Sequence, residues 1–123
     1  GSPHYVKFVK DIESINIFEE GQKIRYNERF KNDGTNVNFV MIKNQKLYIR
    51  TYERGVEDET LACGTGVVAS VLSAYEAKLI STKTVDVIAK GGDLKVNFEK
   101  NDHYHSIDLL GPYNCVFKGE IKC

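Results

Sequence analysis

The segment that most restricts the fold is an uncharged stretch in the middle of the chain. No residue from Gly66 to Tyr75 carries a charge, and apolar and small residues fill every position. A helix without a charged face over nearly three turns is usually buried on all sides. We therefore predict an enclosed helix over residues 65–79, with Glu76 and Lys78 marking its return to solvent.

Strand patterns surround this helix in the sequence. Runs separated by turn signals predict strands at residues 4–9, 37–43, 46–52, 84–89, 94–98, 104–110 and 115–121. Asn44 and Gln45 separate two of these runs and predict a hairpin. The run at 37–43 is apolar on both faces, so we expect it to lie deep in the domain.

A second helix is predicted near the start of the chain, over residues 15–27. Ser14 is the expected N-cap. The residues expected on one side of this helix are Ile17, Phe18, Gly21 and Ile24. A turn signal follows at residues 32–34.

These elements predict an α+β fold. One central helix among six or seven strands is typical of a mostly antiparallel sheet wrapped as an open barrel or roll around a buried helix. The 123 residues fit one domain, and we find no internal linker or repeat.

The composition excludes several classes of partner. Lys and Arg together number 17, as do Asp and Glu, so the chain has no general attraction to nucleic acid or an anionic membrane. No apolar run reaches the roughly 20 residues that span a bilayer. The three cysteines, Cys63, Cys115 and Cys123, form no pair with metal-ligand spacing. We therefore expect free thiols in the cytoplasm and no metal site.

Cys63 stands directly before Gly64, Thr65 and Gly66, where the predicted enclosed helix begins. The first turn of a helix has unpaired N–H groups and a partial positive charge, which stabilise an anion. That anion can be the Cys63 thiolate, with a lowered pKa, or a substrate carboxylate or phosphate. Thr65 is the expected N-cap. On the residues alone, a small buried thiol beside a tight turn remains an open alternative.

A charged segment leads into this cysteine and contains Glu53, Arg54, Glu57, Asp58 and Glu59. A carboxylate there could accept the thiol proton, and the arginine could bind a carboxylate through two hydrogen bonds. A solvated loop explains the same charges equally well.

Five segments of the chain resemble diaminopimelate epimerases. They are residues 51–66 (TYERGVEDETLACGTG), 1–4 (GSPH), 34–40 (GTNVNFV), 91–96 (GGDLKV) and 109–121 (LLGPYNCVFKGEI). The resemblance implies cofactor-independent interconversion of LL- and meso-diaminopimelate. It also implies two α+β halves with the active site between them, each half supplying one catalytic cysteine.

The resemblance also implies roles for individual residues. Cys63 matches the catalytic cysteine of the second half, Glu53 the carboxylate that supports it, and His4 the histidine that assists the other half's cysteine. The positions matching substrate-binding residues are Ser2, Asn36, Glu53, Arg54, Gly64 and Thr65. Ser2 stands where the family has asparagine and lacks its amide. The loop GVEDET is one residue longer than the family's Gly-Val-Gly-Glu-Thr.

From this resemblance we expect residues 1–123 to be the C-terminal half of a two-domain epimerase, inactive alone. The expected partners are diaminopimelate and an N-terminal half, with a second copy of the chain as an open alternative. Cys115 is expected to be a buried structural thiol, and Cys123 to have no role. Two other functions remain open: another racemase or isomerase of the superfamily, proline racemase-like or phenazine-biosynthesis-like, and a non-catalytic binding or assembly module.

Overall fold

A computed structural model describes residues 4–27, 35–60, 64–90, 92–111 and 115–121, the last segment as backbone only. The described residues form eight strands and two α-helices. These are β1 (His4–Phe8), α1 (Ile17–Arg25), β2 (Asn36–Lys43), β3 (Lys46–Glu53), β4 (Asp58–Thr60), α2 (Gly64–Glu76), β5 (Thr84–Ala89), β6 (Gly92–Lys100), β7 (Tyr104–Leu110) and β8 (Cys115–Ile121).

The strands form one mixed sheet in the order β1-β2-β3-β5-β6-β7-β8, and β4 pairs with β3. Two contacts are parallel, β1 with β2 and β3 with β5, and the other five are antiparallel. Parallel neighbours need a crossover connection, and each of these pairs has a helix between its strands in the sequence. The sheet curls into a half-barrel, which confirms the predicted α+β class.

Helix α2 is enclosed by this sheet, as its uncharged sequence predicts. Its buried residues include Val67, Val68, Val71 and Leu72, whereas Glu76 is exposed. They share one core with apolar side chains from β2, β3, β5, β6 and β7: Val40, Leu47, Ile49, Val85, Val87, Val96, Phe98, Tyr104, Ile107 and Leu109. The helix that dominates the sequence is therefore also the centre of the domain.

A smaller core lies on the other side of β2, beneath α1. It contains Ile17, Val37, Phe39 and Tyr52. Side chains alternate across a strand, so Val37 and Phe39 face α1 while Val40 faces α2. This confirms that the run apolar on both faces lies deep.

The predicted start of α1 is wrong by two residues. Asn16, not Ser14, is the N-cap, and its Oδ1 accepts a hydrogen bond from the Glu19 amide at 3.1 Å. Ser14 instead ends a short 3₁₀ turn, which Asp11 caps. Serine and asparagine are both common N-cap residues. Because Ser14 belongs to the 3₁₀ turn, Asn16 takes the N-cap position.

Gly21 lies on the buried side of α1 because Tyr52 occupies the space beside it. A Cβ at Gly21 would stand 2.4 Å from Tyr52 Cγ. Ile17 is also buried, as predicted, but Phe18 is 46% exposed and meets Tyr52 only edge-on. Gly21 is therefore the position at which α1 packs most closely against Tyr52 of the sheet.

The segment after Glu53 also differs from expectation. A solvated loop was one explanation of its charges, but Asp58 already belongs to β4, so the described residues contain eight strands rather than six or seven. Positive φ angles at Gly55 (94°) and Glu57 (58°) turn the chain back, and the Glu57 amide donates to the Glu53 carbonyl at 2.8 Å. The predicted turn at residues 32–34 lies outside the described residues.

Candidate active site

The candidate site lies where the start of β1 meets the start of α2. His4 Nε2 is 2.9 Å from Thr65 Oγ1, across 61 positions of sequence. His4 also pairs with Asn36 in the parallel register of β1 and β2. The structure thus brings together three residues that the sequence marked as site candidates.

Thr65 is not the N-cap of α2. The helix begins at Gly64, so Thr65 lies in its first turn, exposed, with its hydroxyl at the His4 ring. Gly64 is partly buried, and Leu109 lies 3.3 Å from where its Cβ would be. These two residues contribute first-turn N–H groups, which together with the helix dipole favour an anion.

Asn36 holds the turn that carries Arg54. Its side chain is 4% exposed, and its Oδ1 accepts a hydrogen bond from the Arg54 backbone N–H at 2.7 Å. The side chains of Glu53 and Arg54 are half-buried at the end of β3. Asn36 therefore positions the Glu53–Arg54 corner.

Glu57, one of the charges before Cys63, binds other residues of the domain. Its carboxylate accepts hydrogen bonds from Arg25 Nε at 3.1 Å, Tyr52 Oη at 3.1 Å and the Gly55 amide at 3.0 Å. Burial alone would raise the pKa of Glu57, but hydrogen bonds from Gly55, Tyr26, Arg25 and Tyr52 outweigh it and lower the pKa. Burial and the Glu57 carboxylate raise the pKa of Tyr52 to about 12.

Glu59 is likewise held in an ion pair. Arg50 Nε and Nη2 each donate to one Glu59 oxygen at 2.8 Å, and the hydrogen bonds from Arg50 lower the pKa of Glu59. The remaining terminal nitrogen of Arg50, Nη1, donates to the carbonyls of Ile12 at 3.1 Å and Ile15 at 3.3 Å. Two of the charges that suggested a solvated loop are therefore bound to other elements, Glu57 to Arg25 of α1 and Glu59 to Arg50 of β3.

Burial lowers the pKa of His4 below its usual value of 6.5. We expect an NMR titration midpoint for His4 below 6.5. A histidine with a lowered folded-state pKa gives full stability above its unfolded pKa and loses stability as pH falls through the folded pKa. The free energy of unfolding should therefore decline below pH 6.5. The substitution His4→Gln should remove the part of this decline that His4 causes. A midpoint at or above 6.5 would contradict the prediction.

Several predicted residues lie outside the described part of the chain: Ser2, Cys63, Cys123 and the Cys115 side chain. Two polar residues with buried contacts were not predicted from the sequence: Asn38, which lies against His4, and Arg50, which binds Glu59. The signal for Asn38 was a polar residue in the mainly apolar strand β2, whereas Arg50 lies in a strand of mixed polarity.

The described ranges contain no group of three His, Cys, Asp or Glu side chains that could hold a metal ion. Neither helix in those ranges is long and apolar enough to cross a membrane.

Three relatives of this chain are named diaminopimelate epimerase. Diaminopimelate epimerase from Chlorobaculum tepidum is 44% identical over 98% of the chain, and that from Hydrogenobaculum sp. is 47% identical over 99%. The Aquifex aeolicus protein of the same name is 39% identical over 99%. The chain spans 44–47% of the length of these three relatives.

Solved structures show the same fold at low sequence identity. A phenazine biosynthesis protein of the PhzF family from Enterococcus faecalis superposes with a TM-score of 0.64 at 19% identity, covering 85% of this chain and 36% of that one. A phenazine biosynthesis protein from Clostridium difficile gives 0.63 at 21%, with the same coverage. The family model described as diaminopimelate epimerase matches residues 1–116. That match includes α2 and both residues of the His4–Thr65 contact. The chain therefore belongs to the diaminopimelate epimerase family.

Proposed function

We propose that this chain is the C-terminal half of a cofactor-independent epimerase that converts LL-diaminopimelate to meso-diaminopimelate. The observation that carries the proposal is the contact between His4, at the start of β1, and Thr65, in the first turn of α2. It joins two residues that match the family's site, and Thr65 follows Cys63 by two positions. The family membership and the 39–47% identities support the same substrate.

The chemistry explains the residue types. An amino acid α-proton is weakly acidic, so its removal needs fixed dipoles directed at the developing negative charge. In the proposed mechanism the N–H groups at Gly64 and Thr65 and the Arg54 guanidinium bind the substrate carboxylate. Asn36 holds Arg54 in place through its backbone N–H. Enclosure of α2 keeps this anion site fixed relative to the sheet.

Cys63 is the proposed acid and base on one face of the α-carbon. Glu53 takes the thiol proton, the resulting thiolate removes the α-proton, and the thiol formed in that step can return it. Ser2 is a proposed substrate contact, weaker than an asparagine because it has no amide. We place the reaction in the cytoplasm, where the thiols stay reduced.

Inversion needs a second group on the opposite face of the α-carbon. A single cysteine returns the proton to the face from which it came, which gives exchange without inversion. We propose that the second cysteine comes from an N-terminal half and that His4 assists this cysteine. The relatives have room for such a half, because each is more than twice as long as this chain.

The experiment compares the chain alone with the chain joined to an N-terminal half from one of these relatives. We expect the joined protein to convert LL- to meso-diaminopimelate and to incorporate deuterium from D₂O, and the chain alone to show negligible turnover. Comparable turnover by the chain alone would overturn the two-half mechanism.

The same joined protein also tests the two alternative functions, another isomerase of the superfamily and a non-catalytic binding or assembly module. Preference of the joined protein for proline or a phenazine precursor in a substrate panel would instead support another isomerase of the superfamily. Binding of diaminopimelate by calorimetry without any turnover or exchange would indicate a non-catalytic binding module.

A further inference from the structure

Asn38 is a buried polar residue near the start of β2, next to His4 of the candidate site. It is 0% exposed and lies on the face of the sheet that meets α2. A buried amide must have partners, and Asn38 has three. Thr51 Oγ1 donates to its Oδ1 at 3.0 Å, and its Nδ2 lies 3.3 Å from both the Tyr5 carbonyl and His4 Nδ1.

The Tyr5 carbonyl determines which way the Asn38 amide points. A carbonyl oxygen only accepts hydrogen bonds, so the Asn38 atom facing it must be the NH₂ group. The reversed amide would set two acceptor oxygens against each other in a buried site. The Thr51 hydroxyl fits this orientation because it donates to Oδ1 on the other side.

The amide orientation in turn sets the protonation of the His4 ring. Asn38 Nδ2 donates to His4 Nδ1, so Nδ1 of the neutral ring carries no hydrogen. The single ring proton is then on Nε2, which lies 2.9 Å from Thr65 Oγ1 and donates to it. Thr65 Oγ1 accepts this hydrogen bond, so its own hydroxyl hydrogen points away from His4.

We propose that Asn38, oriented by the Tyr5 carbonyl, is a positioning residue that fixes the ring proton of His4 on Nε2 and directs it at Thr65. The catalytic meaning of this inference rests on the proposed function, whereas the direction of the hydrogen bonds does not.

Close packing of α2 keeps this network in place. A Cβ at Gly66 would lie 2.7 Å from Asn38 Oδ1 and 3.2 Å from His4 Cε1. The glycine therefore lets the first turn of α2 lie directly on the Asn38 amide and the His4 ring. This contact leaves little room for the amide or the ring to reorient.

NMR of the ¹⁵N-labelled chain tests the proposal directly, because protonated and unprotonated ring nitrogens of a neutral histidine differ strongly in shift. We expect His4 to carry its proton on Nε2. Asn38→Asp places an acceptor at Nδ1 and should move the proton to Nδ1. Thr51→Ser keeps the hydroxyl donor and should retain the Nε2–H form. A proton on Nδ1 in the unsubstituted chain would overturn the proposal, even if Asn38→Asp fails to fold.

Activity of the joined protein separates this inference from the proposed function. We expect Asn38→Asp to lower kcat by about 10²- to 10⁴-fold, the range of a lost acid–base contribution, with a smaller change in KM. Unchanged kcat despite a shifted proton would contradict the positioning role. An inactive joined protein whose His4 keeps Nε2–H would instead count against the proposed function alone.

Discussion

Replacing Cys63 by alanine in the joined protein is expected to reduce epimerisation by about 10²- to 10⁴-fold. The substitution removes the acid and base on one face of the α-carbon, while the other half's cysteine remains. That cysteine can still remove and return a proton on its own face. We therefore expect deuterium exchange from only one of the two epimers, measured by mass spectrometry in D₂O.

Cys115→Ala is the matched control, because it also removes one thiol, but from β8, at the opposite end of the sheet order from β1. Its activity per folded molecule should stay within a few-fold of the unsubstituted protein. Equal losses in both variants would indicate damage to folding. Retention of full inversion by Cys63→Ala would exclude Cys63 as the acid and base.

Replacing Arg50 by methionine is expected to lower the free energy of unfolding by about 2–4 kcal/mol. Breaking a fully buried ion pair costs about 3–5 kcal/mol, and the Arg50 side chain is 26% exposed, so we expect somewhat less. The variant leaves Glu59 and the carbonyls of Ile12 and Ile15 without their donor from Arg50. Urea denaturation of the chain measures the difference.

Lys95→Met is the matched control, because its pair with Asp86 is half-exposed, at 49% and 52%. We expect a change of about 1 kcal/mol or less. A loss from Arg50→Met no larger than this would contradict the anchoring role.

Acidification gives a second test of the same pair. Arg50 lowers the pKa of Glu59 below its ordinary value of 4.5. The ion pair therefore stabilises the folded chain above pH 4.5, and this stabilisation is lost as the pH falls through the folded-state pKa. The difference between the unsubstituted chain and Arg50→Met should therefore shrink as the pH falls below 4.5. A difference that is constant with pH would show that lost packing, not the ion pair, is responsible.

The central features of the fold could be predicted because they rest on local patterns. The uncharged run from Gly66 to Tyr75 needed no tertiary information to indicate an enclosed helix. The deep position of β2 followed from apolar residues on both faces. The parallel pairing of β1 with β2 was not predicted, since no local pattern specifies which strands become neighbours.

The parts of the site that could not be predicted depend on contacts distant in sequence. Glu59 was indistinguishable from a solvated loop charge, because its partner Arg50 and the carbonyl of Ile12 meet only in the folded chain. Asn38 gave no sign of its partners for the same reason. His4 and Thr65 were named through the family resemblance, and the structure places them in contact.

The position of β1 at the end of the sheet order has a consequence for how the joined protein would lose the proposed activity. Edge elements open locally at lower free energy than a whole domain unfolds. Detachment of the five residues of β1 from β2 would carry the His4 imidazole away from Thr65, while most of the apolar interior around α2 stayed assembled. Mild denaturant should therefore inactivate the joined protein before its circular dichroism changes, with amide hydrogen exchange in β1 rising first.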